Sequence, residues 1–204
     1  MWSPDLEGYD ADQVPSQIGV AGMSPFRPSA VWAALFLITL VVLFAFQSRR
    51  RALSPEPLYV IESDLEIEAP AAAVWRALVD FPSYPEWNPY AIRVEGRLAL
   101  GETIELTLVQ EDWAEPMTLR PKIVRLESGR ELGWHGRVIF AGLHETDHYF
   151  QLVALGANRT RLYHAEEFRG WLPEHVQGPT ERAYTEKAFR AMNEALKRRA
   201  EGDR

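Results

Sequence analysis

Four of the chain's five histidines, His135, His144, His148 and His164, fall within residues 131–169, a stretch that also holds Glu166. An imidazole beside a carboxylate in apolar surroundings can move protons, because burial and pairing bring both groups toward neutral pKa values. The same pair can instead hold the single polar group of an apolar ligand. It can also be a buried ion pair that only fixes strand register, since such pairs are kept without catalysis. Sequence alone leaves these three roles open. No metal site is expected: His144, His148 and Glu166 share a face, but residues four apart on a strand lie about 13 Å from each other, too far for one ion. The chain has no G-x-S-x-G elbow, no phosphate-binding glycine loop and no dinucleotide fingerprint, so no cofactor is expected. Gly142-Leu143-His144-Glu145 lacks the second histidine of a zinc-protease motif. With no cysteine, disulfides, thiolate nucleophiles, iron–sulfur clusters and cysteine-bound zinc are excluded.

Strand parity tells which side chains accompany these groups. In residues 131–140 the apolar set is Leu132, Trp134, Val138 and Phe140, which places Glu131, His135 and Arg137 on the opposite face. In 143–155, Phe150 and Leu152 choose the inner face and bring His144, Thr146 and His148 with them. In 159–169, Leu162 and Phe168 bring His164 and Glu166. A hairpin turning around Gly156-Ala157-Asn158 then sets His148 opposite Glu166 and Phe150 opposite His164. Asn158-Arg159-Thr160 has the form of a glycosylation sequon but reads more simply as this turn.

The elements that position these residues follow from periodicity and breakers. Residues 58–68 alternate as a strand, and Ala69-Pro70 opens a helix through Val74, Trp75 and Leu78 that ends near Asp80. Three prolines within 81–90 allow only a short helical turn and loop there. Strand-like stretches follow at 91–100, 102–111, 117–127, 131–140, 143–155 and 159–169, joined by connections too short for crossover helices. Residues from Pro179 to about Arg199 form a long amphipathic helix with Phe189, Met192 and Leu196 on one stripe. Trp75 and Trp87 read as core, while Trp113 and Trp171 sit in connections where they could border a cavity or a membrane. Lys197, Arg198 and Arg199 suit the negative end of the last helix, or acidic lipid headgroups. The expected architecture is α+β, a curved antiparallel sheet of about seven strands wrapped on the C-terminal helix.

In this order, Ile67-Glu68-Ala69-Pro70 with Val74-Trp75, Asp80-Phe81 with Tyr84-Pro85-Glu86-Trp87-Asn88-Pro89, His148-Tyr149-Phe150, Glu166-Glu167-Phe168-Arg169-Gly170 and Met192-Asn193-Glu194-Ala195-Leu196-Lys197 resemble the START/SRPBCC superfamily. These are helix-grip domains that include polyketide cyclases, lipid-transfer proteins and the birch-pollen-allergen type. The resemblance spans roughly Tyr59 to Lys197. It implies a cavity between sheet and long helix for a hydrophobic ligand. The expected lining is Trp134, Val138, Phe140, His144, His148 and Phe150 from two strands, His164, Glu166 and Phe168 from the next, and Phe189 and Met192 from the helix.

Ahead of this domain, residues 29–46 carry no charge and are followed at once by Arg49-Arg50-Arg51. At 1.5 Å per residue they make about 27 Å of helix, which reads as a single transmembrane anchor. The arginines place the remainder on the cytoplasmic side, because positive flanks stay inside. Residues 1–28 read as disordered, 47–57 as a basic and proline-containing linker, and 58–200 as the ligand-binding domain. The formal charge of −7 offers no basic field to nucleic acid. The reading is a membrane-anchored binding protein for a lipid, isoprenoid, quinone or polyketide-like molecule, with the bilayer as its other partner. Its rivals are a cyclase or dehydratase that moves protons with His148, His164 and Glu166, and a structural or regulatory membrane protein.

Overall fold

The computed structural model describes residues 30–52, 56–111, 113–138, 140–176 and 178–202. The expected disorder of residues 1–28 lies outside them, as do residues 53–55 of the expected linker. The chain divides into two units, Met1–Thr39 and Leu40–Arg204. Helix α1 (Ala30–Ala52) opens in the first. Its apolar side chains point outward all round; Trp32 and Phe36 are 64% and 66% exposed. Among the described residues, however, no helix is long and apolar enough to cross a membrane. The transmembrane span expected over 29–46 is therefore not found as such.

The second unit is built from strand β1 (Tyr59–Ile67), helix α2 (Ala71–Val79), a 3-10 turn (Phe81–Ser83), helix α3 (Tyr84–Trp87), seven further strands, and two further helices. The strands are β2 (Ala91–Glu95), β3 (Glu105–Leu108), β4 (Met117–Leu119), β5 (Lys122–Glu127), β6 (Glu131–Val138), β7 (His144–Gly156) and β8 (Arg159–Arg169). The helices are α4 (Trp171–Val176) and α5 (Pro179–Glu201). Sequential hairpins give a five-stranded antiparallel sheet in the order β1-β8-β7-β6-β5, and a three-stranded one in the order β2-β3-β4.

The single sheet of about seven strands is thus corrected, among the described residues, to eight strands in two sheets. Pro121 is the reason within 117–127: it has no N–H to give a ladder and splits that stretch into β4 and β5. One isolated bridge, Thr103 to Lys122, joins the two sheets. Helix α4 was not expected. Pro173 lies in its first turn, where a missing N–H costs nothing.

Helix α5 buries Phe189, Met192, Asn193 and Leu196 against this scaffold, beside Val74 and Leu78 of α2. Lys197 donates from Nζ to the Glu66 carbonyl at 2.7 Å and so ties α5 to β1. The sequon segment is indeed the β7–β8 turn, and Thr160 there is buried with its hydroxyl donating to the Ala69 carbonyl at 2.8 Å. Trp75 and Trp87 pack against the core, as expected.

The β6–β7 connection is stapled to the start of α4 by two backbone hydrogen bonds, Trp171 N–H to Gly142 O at 3.0 Å and Leu172 N–H to Leu143 O at 2.7 Å. Gly170 makes this possible, because its φ is +106° and a Cβ there would lie 2.6 Å from the Leu143 oxygen. Gly170→Ala should cost about 1–3 kcal/mol of stability through this clash and the left-handed φ, read as a lowered Tm in thermal unfolding.

Candidate functional site

The register of β7 against β8 pairs His148 with Glu166 and Phe150 with His164, as the hairpin predicts. On the other side of β7, Trp134 faces His148. Their rings stack at 4.7 Å with 12° between planes. His164 stacks in turn on Phe189 of α5, at 4.1 Å and 15°.

These contacts hold a chain of polar groups inside the domain. Asn193 Oδ1 lies 2.8 Å from His164 Nδ1. His164 Nε2 lies 2.8 Å from His148 Nε2. His148 Nδ1 then faces Glu166 Oε2 at 3.6 Å. His164 and Asn193 have no exposed surface, and His148 is 5% exposed. Burial, together with the neighbouring His148, holds the His164 pKa well below the usual histidine value, so His164 is neutral. Its acceptance of one hydrogen bond and donation of another follow from that state.

Glu166 lines a cavity of about 290 Å³. Its walls are largely apolar, with Leu108, Leu119, Trp113, Val138, Phe168 and Leu172 among them. A recess of about 30 Å³ continues past Glu166 to His148, Trp134 and Met192. Of the eleven residues singled out in the sequence, Val138, His144, Glu166 and Phe168 line the main cavity, and Trp134, His148, Glu166 and Met192 line the recess. Phe150, His164 and Phe189 do not; they have no exposed surface and form the layer behind the recess. Phe140 is not on the wall either. Strand β6 ends at Val138, and Phe140 is 43% exposed, in edge contact with Phe44 at 6.4 Å. Trp171 meets the same Phe44 ring at 5.4 Å. Burial lowers the His144 pKa, against the opposing pull of Glu166. No group of histidines and acids among the described residues is arranged to hold a metal ion.

Several residues of the site were not anticipated. Tyr90, Gly136 and Thr146 line both the cavity and the recess. Tyr90 is aimed there by Asn88, whose buried Oδ1 accepts from the Tyr90 and Ala91 N–H groups at 3.0 and 2.9 Å. Asn193 had a readable signal: it is a polar residue one position past Met192 and four past Phe189, on the apolar stripe of α5.

The family model described as polyketide cyclase / dehydrase and lipid transport matches residues 60–201. No curated protein matches the chain in sequence. Among solved structures, the chain is similar to the ZhuI aromatase/cyclase from Streptomyces sp. R1128, with 21% identity, TM-score 0.54, and coverage of 70% of this chain and 93% of that one. A START superfamily protein from Mycobacterium smegmatis is similar at 18% identity and TM-score 0.56, covering 70% and 97%. Norcoclaurine synthase from Thalictrum flavum, solved with dopamine and hydroxybenzaldehyde, is similar at 19% identity and TM-score 0.52, covering 69% and 84%. These likenesses show the helix-grip fold.

A neutral His164 inside the fold has a consequence for stability. The unfolded chain protonates it below about pH 6.5 while the folded chain resists. The native state therefore loses stability as pH falls below that value, by at most about 1.4 kcal/mol per pH unit. Denaturant unfolding at pH 7.5 and 5.0 should show this loss in the wild type, and a smaller one in His164→Gln.

Proposed function

We propose that this chain, which belongs to the polyketide cyclase/dehydrase and lipid transport family, is a membrane-tethered binding protein for an apolar small molecule. The observation that carries the reading is the cavity of about 290 Å³, whose largely apolar walls include a carboxylate, Glu166, paired with a buried imidazole. That volume suits a molecule of one or two rings or a short chain; sites for such ligands are typically apolar with few polar groups that fix orientation. A lipid, isoprenoid, quinone or polyketide-like compound fits this description. Trp134, Val138, His144, His148, Glu166, Phe168 and Met192 are the contacts we assign to it.

The tether in this proposal is α1. Its apolar side chains are exposed on every side, which water penalises and a bilayer does not. The arginines at 49–51 would hold the domain on the cytoplasmic side of a single-pass protein. A domain held close to a bilayer meets bilayer-derived molecules at high effective concentration.

The relay from Asn193 to Glu166 favours one alternative, a cyclase- or dehydratase-like enzyme in which Glu166 and His148 exchange protons with the ligand. Similarity to an aromatase/cyclase supports considering it. Turnover of a candidate substrate would decide for the enzyme.

Two measurements test the proposal. Val138→Trp should fill the cavity and weaken binding of an environment-sensitive hydrophobic dye to the full chain by about tenfold or more, with Tm changed little; unchanged dye binding would remove the cavity as the site. Alkaline carbonate washing of membranes should leave the full chain in the pellet, and Leu37→Arg with Val41→Arg should release it; release of the wild type would remove the tether.

A further inference from the structure

Two arginines, Arg120 and Arg137, line the main cavity. Both are exposed, whereas Leu108, Thr146 and Phe168 on the same wall are buried, so the arginines mark its outer end. Their meeting follows from the register. Lys122 faces His135 in the terminal pair of the β5–β6 ladder, and the same antiparallel count carried two residues further sets Arg120 opposite Arg137. Pro121 ends the ladder between those positions, and Pro121 and Gly136 line the cavity there too. By strand alternation Arg137 leaves β6 on the side away from Val138, which puts its charged head at the rim and keeps it out of the interior.

The two guanidinium groups differ in what holds them. Arg120 donates from Nε and Nη2 to one Glu105 oxygen, at 3.1 and 3.0 Å. Among the described residues Arg137 has no ion-pair partner. Glu145, which faces it in the β6–β7 ladder, is buried and accepts from the Gly142 N–H at 3.0 Å instead. Arginine stays charged at any pH at which the fold survives, so this positive rim depends on no titrating group. Neither lysine nor arginine lines the recess beyond Glu166, which confines the permanent positive charge to the outer end.

We infer that the cavity takes an apolar molecule with a carboxylate head, gripped at the mouth by Arg137 with Arg120 beside it, while the apolar body fills the space between Leu108, Leu119 and Phe168. The inference rests on the ligand-binding reading above and names the ligand's head group. A guanidinium offers parallel N–H groups that match the two oxygens of a planar carboxylate. A hydroxyl in the same place accepts without charge and gains less, and an ammonium is repelled. Because the rim is exposed, the pair adds only a small factor to affinity and salt screens it. Its main effect is to set which end of the ligand enters first.

The test titrates 2-naphthoate, 2-naphthol and 2-naphthylmethylammonium, probes of one shape, against the full chain in nonionic detergent micelles at pH 7, with protein-free micelles subtracted. In low salt 2-naphthoate should bind about threefold or more tighter than 2-naphthol, with the ammonium weakest, and about 1 M sodium chloride should bring the naphthoate-to-naphthol ratio toward one. Arg137→Gln should remove most of that lead, Arg137→Glu should put naphthoate behind naphthol, and Arg137→Lys should keep part of it, with Tm held in all three because the side chain is exposed. Acetate at matched ionic strength should displace no naphthoate, since a free anion lacks the apolar body. Naphthol level with or ahead of naphthoate in the wild type, a lead unmoved in Arg137→Glu, or displacement by acetate each overturns the inference while leaving the binding reading intact. Absence of binding by all three probes overturns both.

Discussion

The hydrogen bond between Asn193 and His164 is the point at which helix and sheet are made to agree. Both groups are fully buried, and each would cost about 1–3 kcal/mol if left without a partner. Only one rotation and one height of α5 over β8 bring them to 2.8 Å. Phe189, one turn earlier on α5, then necessarily stacks on the His164 ring. The helix is thus fixed by a directional contact as well as by area burial, which alone would tolerate sliding.

From that contact the remaining site follows outward. His164 hands the constraint to His148, Trp134 holds His148 flat from the neighbouring strand, and His148 meets Glu166 at the cavity floor. Beyond Glu166 the walls are mostly aliphatic and aromatic side chains, supplied by β3, β4, β6 and β8 together with the loop around Trp113. The break at Pro121 lets the small sheet diverge from the large one, and Leu119, Arg120 and Pro121 itself line the cavity there. A rigid polar floor beneath apolar walls is an arrangement for gripping one end of a lipophilic molecule. It is also the arrangement a proton-transferring enzyme would use, and the relay serves either purpose.

Much of this was legible in the residues because period-two alternation is unforgiving. Once Phe150 and Leu152 had to face inward, His148, Thr146 and His144 had no choice of side, and a tight turn at Gly156-Ala157-Asn158 set their partners to the residue. What parity cannot show is depth. Phe150, His164 and Phe189 share the inner face with the lining residues but lie behind them, because α5 closes down on that end of the sheet. Phe140 failed for a different reason: alternation was extended past Val138, where the strand stops and the chain turns. The direct His148–His164 contact is diagonal across the strands, so a list of facing pairs does not contain it. Division into two sheets was encoded in Pro121, which reads as a flaw in one strand until the pairing is seen. The apolar stretch before Arg49 is a helix, as its composition demands, but among the described residues no helix is long and apolar enough to cross a membrane.

On the reading proposed above, the cavity holds a lipophilic molecule. Native mass spectrometry of the full chain, released from detergent after expression, followed by solvent extraction, tests it most directly. A stoichiometric adduct is expected, one that extracts as a lipophilic compound and is lost in Val138→Trp. A chain of bare mass that also takes up no member of a lipid, isoprenoid, quinone and polyketide panel would contradict it.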